Sequence, residues 1–470
     1  MKNFSGADLN NRAAVGSQGE SRESPSSFPA YPAYKDSGVE WQEVVPADWP
    51  RSALKYLADY QNGYPFKPED WGEKGLPIIR ISQLTGDAAP NYYSGELDDR
   101  VKVNEGDLLF SWSATIDSFI WAGGTAWLNQ HIFKVSPTNE ADQQFLFYLI
   151  KLVAPKLADF DAHGSTMRHI KKESLSERLH VPTLEEQTQI ARFLDHETAR
   201  IDALIEEQQR LIELLKEKRL AVISHAVTKG LDPTVPMKDS GVEWLGELPA
   251  HWEVTQVKRR CELITDGAHI SPETENGVYC FVSTRDVSDE GIDFKGCLRT
   301  SAASYEYLMK TGCRPAAGDV LFSKDGTIGR TIVVGENPPE FVVASSLIII
   351  RPDKKELLSS YLDFLCQSCV VSQQVEGFVK GAGLPRLSIQ NLTKVVGAFP
   401  PLEEQVLIVE FLQLRCAAAS KLTGEAWRTM ELLKERRSAL IFAAVTGKID
   451  VRGWQPPASS PTPELVQEAV

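Results

Sequence analysis

The chain has 470 residues, 42% hydrophobic and 24% charged, the balance of a globular protein too long for a single ordinary core. Its formal net charge of −14 excludes a protein that coats nucleic acid by bulk electrostatics, so DNA contact would need local basic loops or basic partners. No run of 18 apolar residues appears, and no membrane span is expected.

Residues 1–34 are rich in Ser, Asn, Gly and Glu, lack the apolar segment of a signal peptide, and read as a disordered leader. Residues 35–181 carry short β-branched and aromatic runs, such as Pro77 to Ile81 and Leu108 to Phe110, punctuated by Gly, Pro, Asn and Asp. That pattern predicts strands joined by loops, followed by a helix over 142–159. From 184 to 228 no Pro or Gly interrupts the chain, so 182–230 is assigned to one long helix with Pro182 ahead of it and Lys229-Gly230 ending it. Residues 231–400 repeat the strand-rich character, with Phe341 to Val343 and Leu347 to Ile350 as examples and a helix expected over 355–376. A second long helix takes 401–450, and 451–470 form a tail.

All seven cysteines lie from Cys261 onward, which fits a reducing cytoplasm better than a disulfide framework. Cys366 and Cys369 form a lone C-x-x-C in an apolar stretch with no second ligand pair nearby, so burial is the expected role.

The halves are copies of one another. KDSGVEW at 35–41 returns at 238–244, and GDLLFS at 106–111 returns as GDVLFS at 318–323. LEEQ stands at 184–187 and 402–405, while LLKEKRLAVISHAVT at 214–228 is echoed by LLKERRSALIFAAVT at 432–446. The order is the same and the offset drifts only between 203 and 218, so one scaffold of about 200 residues is used twice.

Leu194, Ile201, Gln208, Leu215 and Val222 recur every seven residues, with Ile190, Leu204 and Leu211 as a companion row; Ile408, Leu412, Leu422, Leu433 and Leu440 hold like positions in the second helix. Each helix is too long for one small head to cover, so the copies are expected to pair. An antiparallel pair would place a head at each end. The expected fold is therefore α+β: two mainly-β heads joined by two long antiparallel coiled-coil helices in a pseudo-two-fold repeat.

This ordered set resembles the specificity subunits of Type I restriction–modification enzymes. The resemblance rests on DSGVEW, GDLLFS or GDVLFS, LNQHIFKVSP at 128–137, Leu-Pro-Arg-Leu at 384–387 and P-x-LEEQ, and it spans about residues 35–450. It implies a chain that is not catalytic on its own, in which each target-recognition domain reads half of a split, asymmetric site in double-stranded DNA. It further implies that two modification subunits carrying S-adenosylmethionine dock on the helices. Restriction subunits that use ATP and Mg complete the complex, and no membrane partner or in-chain cofactor is implied.

A DNA-reading head needs Arg, Lys, Asn or Gln on loops to meet base edges and phosphates. Candidates in the first head are Arg80, Ser82 and Gln83 after a strand, and Arg168, His169 and Lys171 near the helix. In the second they are Arg285, then Lys324, Thr327 and Arg330 in a Gly-containing basic loop, and Lys380 and Arg386 around a Gly-rich turn. Other motifs are set aside. Asn337-Pro338-Pro339 is followed by Glu340 where an adenine methyltransferase carries an aromatic, Pro352-Asp353 lacks the acidic-x-Lys of a nuclease, and no G-x-x-x-x-G-K-[ST] loop occurs. His131, His163 and His269 lack Ser or Cys partners at a readable spacing.

Overall fold

The repeated block GDLLFS builds the sheet at the centre of each head. In the first head Leu108–Ser111 lies between Ile132–Pro137 and Asp117–Ile120, and Ala58–Asn62 completes an antiparallel four-stranded sheet. In the second, Val320–Ser323 lies between Leu347–Pro352 and Thr331–Val333, with Cys261–Asp266 at the edge. Successive residues of a strand face opposite sides. Leu108 and Phe110 enter the core against the helices, whereas Leu109 enters a separate core with Ile79, Val103 and Leu128. Val320 and Phe322 split from Leu321 in the same way. Both faces are covered, which is why the block reads as a continuous apolar run.

A second sheet supplies the other cover. It contains a parallel pair in each head, Leu76–Ile79 with Ala126–Leu128 and Tyr279–Val282 with Phe341–Val343. This computed structural model describes residues 28–457 except 40, 87, 162–167, 243, 275–276, 289–290 and 380–385.

The helix expected over 142–159 is Gln143–Asp161. The one expected over 355–376 is broken in two, Ser359–Gln367 and Cys369–Phe378. Between them Ser368 is extended and fully buried, and its hydroxyl bonds back to the Leu365 carbonyl. Cys366 is buried beside the break, and all seven cysteines are free thiols.

The long helices run Leu184–Lys229 and Leu402–Val445. The chain divides into two compact units, one of residues up to Glu206 with those from Glu431 on, the other of Glu207–Met430. In the first unit Ile190, Leu194 and Ile201 share a core with Leu440, Ile441, Ala444 and Val445, and Arg437 holds Asp202 by bonds of 2.8 and 3.1 Å. In the second, Ile408, Val409 and Leu412 share a core with Ile223, Ala226 and Val227. The opening of one helix lies against the end of the other in each unit, so the two run antiparallel.

The buried seam departs from the expected rows. The seven-residue row through Leu194 and Ile201 is inward, with Leu215 half-buried, and Ile190 of the companion row is buried too, but beyond Ile201 the companion falls four residues on, at Ile205 and Ile212, instead of three. Leu204 and Leu211 are therefore 46% and 41% exposed. In the second helix Leu412, Ala426 and Leu440 are buried and Leu433 half-buried, while Leu422 stands outside the seam at 50% exposure. A leucine outside a seam carries the same letter as one inside it.

Each LEEQ block braces a head. The Gln187 amide donates to the Glu140 and Pro182 carbonyls at 3.1 and 3.0 Å and accepts from the Asp142 N–H at 3.0 Å. Gln405 repeats this with Glu356, Pro400 and Leu358, each at 2.9 Å. Both side chains are buried, so truncation orphans three main-chain groups. Gln187→Ala or Gln405→Ala is expected to cost about 2–3 kcal/mol in urea denaturation, whereas an unchanged midpoint would remove the brace.

Candidate nucleic-acid interface

Three loops meet at one end of each head, on the same frame. The first follows the central strand, where the Ser111 hydroxyl bonds to the Thr115 carbonyl and the Ser323 hydroxyl to that of Thr327. The second joins the two sheets through 129–131 or 344–346. It begins where Tyr64 bridges Asn129, or Ala268 bridges Ala344. A side chain at Gly63 would strike the Leu128 carbonyl at 2.2 Å, and one at Gly267 the Ala344 carbonyl at 2.1 Å, so both approaches require glycine. The third segment crosses the first: Ile170 donates to the Trp112 carbonyl at 2.9 Å, and Leu387 to that of Lys324 at 2.8 Å. Ser113 then bridges His169, as Asp325 bridges Arg386.

The parallel strands end here too. Asn129 N–H reaches the Ile79 carbonyl at 3.0 Å, and Ala344 N–H that of Val282 at 2.8 Å. Arg80, Ser82 and Gln83 therefore stand beside the second loop, as does Arg285 in the other head. The structure brings the first-head candidates Arg80, Ser82, Gln83, Arg168 and His169 to one end, and Arg285, Lys324, Thr327, Arg330 and Arg386 to the matching end.

Their freedom differs. Arg80 stacks 5.1 Å over the Trp71 ring. Gln83 spends its amide on the backbone, accepting from Arg80 N–H at 2.9 Å and donating to the Ala88 and Ala89 carbonyls. Arg168 pairs with Asp159, and Lys171 is exposed just beyond Ile170. Lys324 is not an open cation: it is 3% exposed and paired with Asp266, whose other oxygen takes His269 at 3.0 Å. The sequence places Asp266 58 residues away, which hid this pairing. Arg330 bonds to the Val287 carbonyl at 2.9 Å, while Thr327 is exposed. Arg285 is exposed with no side-chain partner among the described residues. Arg386 leans on Asp325 at 3.9 Å and on the Ser345 carbonyl at 3.4 Å. Lys380 lies outside the described residues.

Trp112, Ser113 and Gln130, which the sequence did not single out, occupy the first head's tip with His131, which has no Ser partner at a readable spacing in the sequence but lies 3.2 Å from Ser113 Oγ. When AWLNQHIFKVSP is aligned with FVVASSLIIIRP, Gln130 and His131 correspond to Ser345 and Ser346 just ahead of the apolar pairs Ile132-Phe133 and Leu347-Ile348, whereas Trp112 and Ser113 lie outside that match. Among the described residues no cluster of three His, Cys, Asp or Glu side chains is placed to hold a metal, and no helix is long and apolar enough to cross a membrane.

Two heads with one backbone frame and different exposed polar groups define a two-headed recognition protein. The model of the Type I restriction modification DNA specificity domain matches the chain twice, at residues 46–214 and 249–417. The chain belongs to that family, the DNA specificity subunits of Type I restriction–modification systems. It is 23% identical to the EcoBI specificity subunit of Escherichia coli, over 87% of each chain. It is 25% identical to the MjaVIII specificity subunit of Methanocaldococcus jannaschii, over 87% of this chain and 94% of that one. A solved chain from a study of complex assembly and conformational transition in a type I R-M system superposes with a TM-score of 0.58 at 18% identity. That match covers 85% of this chain and 98% of the other, and it supports the fold.

Proposed function

We propose that each head reads one half of a bipartite, asymmetric target in double-stranded DNA through its three-loop tip, and that the chain performs no chemistry itself. The observation that carries this is the contrast between an equivalent backbone and unlike side chains: Ser113, Gln130, His131 and His169 in one head hold the positions of Asp325, Ser345, Ser346 and Arg386 in the other. A shared frame with exchanged polar groups gives two different base readings from one fold.

The helices carry two modification subunits, and S-adenosylmethionine is bound by those subunits. Restriction subunits supply the ATP- and Mg-dependent steps, and the whole works in the cytoplasm. Supporting the docking role, Leu204 and Leu214 of the first helix and Leu422 and Leu432 of the second are equivalent pairs, all exposed. Exposed leucines at equivalent positions of the two helices suit two copies of one partner.

The test is to map methylated bases across the genome of the source organism with and without this chain. One split adenine motif is expected to vanish in the deletion. An unchanged pattern with the partner genes expressed would point to a scaffold that does not read DNA.

A further inference from the structure

The first head's tip holds a short chain of hydrogen-bonded side chains with one end open. Ser113 Oγ lies 3.2 Å from His131 Nδ1, and His131 Nε2 lies 3.3 Å from Gln130 Nε2. Because the amide nitrogen only donates, His131 Nε2 is the acceptor, and Nδ1–H donates to Ser113. The imidazole rests on Trp112, with ring centroids 5.4 Å apart.

The main chain beneath is fully occupied. Gln130 N–H donates to the Tyr64 carbonyl at 3.0 Å, and the Gln130 carbonyl accepts the Trp112 indole N–H at 3.2 Å. His131 N–H reaches Asn129 Oδ1 at 3.3 Å, and its carbonyl accepts from Trp112 N–H at 3.3 Å. What remains without a partner among the described residues is Gln130 Oε1 and the second amide N–H, an acceptor and a donor side by side. That pair matches the N6–H and N7 of adenine in the major groove, where glutamine binds in bidentate fashion.

We propose that Gln130 reads an adenine in the half-site of the first head, with His131 and Ser113 as positioning residues that fix the orientation of its amide. This rests on the two-headed reading above and names one base contact within it. Preorganisation favours Gln130 over Gln83, whose amide is already bonded to backbone. The second head has no counterpart: Ser345 and Ser346 are short, and Ser346 Oγ already takes the Thr284 N–H at 3.2 Å. The effect is therefore confined to one half-site.

The experiment selects duplexes from a randomised library with the full chain, co-expressed with its methyltransferase partner, and scores base preference at every position. In Gln130→Ala, preference for adenine at one position of one half-site is expected to fall about ten- to a hundredfold, with the other half-site unchanged. His131→Ala should give a smaller loss at that same position and nowhere else. Should Gln130→Ala fail to fold, Gln130→Glu keeps the shape and the main-chain bonds, and is expected to exchange adenine for cytosine there by accepting from N4. Unchanged preference at every position in a folded variant, or a loss spread over both half-sites, overturns the assignment. If the unaltered chain selects no bipartite sequence, the two-headed reading itself fails, whatever the variants do.

Discussion

A chain ending at Met430 is expected to lose its first head as a folded body while keeping the second. Leu440, Ile441, Val445, Ile449 and Val451 are all at most 5% exposed and lie in one core with Trp49, Phe145 and Leu194. Burying a large aliphatic side chain stabilises by roughly 1.5–3 kcal/mol, so removing five withdraws on the order of 10 kcal/mol. That equals the whole stability of an ordinary domain. Polar anchors go with them: Gln189 donates to the Val451 and Trp454 carbonyls at 3.0 and 2.6 Å, and Asp450 N–H bonds to the Pro29 carbonyl at 2.7 Å. Hydrogen exchange should show Gln143–Asp161 unprotected in the truncated chain, and Ser359–Gln367 as protected as before. Full protection of the first of these helices would mean that the head closes without its distant segment.

The second large effect is expected at Asp319, in the GDVLFS block. Its carboxylate is 1% exposed, binds the Arg351 guanidinium through two bonds of 2.8 Å and accepts the Ala316 N–H at 2.7 Å. Asp319→Ala leaves a cation and a main-chain donor without their partner, at a cost of about 3 kcal/mol. The matching Asp107 binds Lys134 at 2.7 Å and the Asn104 N–H at 2.8 Å, but both charged side chains are about a quarter exposed. Asp107→Ala should cost about 1 kcal/mol. Denaturation curves of the two variants would separate them, and equal shifts would show that burial does not set the difference.

What the sequence made legible follows from physical periodicity. The long helices came from uninterrupted stretches without Pro or Gly, and the repeat from blocks whose side chains now have matching jobs, such as Gln187 and Gln405. The seam was readable in its first row and at Ile190, but no further, because Leu204, Leu211 and Leu422 are apolar on an outer face. Burial of Lys324 against Asp266 needed tertiary knowledge, since a lysine in a Gly-containing loop looks open. The break at Ser368 came from a hydroxyl that pairs within its own turn and carries no apolar signal. Several candidate readers did gather at the tips, because strand ends in a parallel pair share one edge. Gln130 stayed hidden inside a block whose neighbours serve the core, and His131 was set aside because its Ser113 partner lies 18 residues away.

Closure of the first head by residues after Glu431 also orders events during synthesis. The head that leaves the ribosome first is completed last. Its Phe145, Leu194 and Ile201 await Leu440 and Val451, whereas the unit of Glu207–Met430 is whole once Met430 emerges. At roughly 5–20 residues per second, translation from Glu206 to Val451 takes on the order of 10–50 s, long enough for that apolar surface to meet a chaperone or another nascent chain.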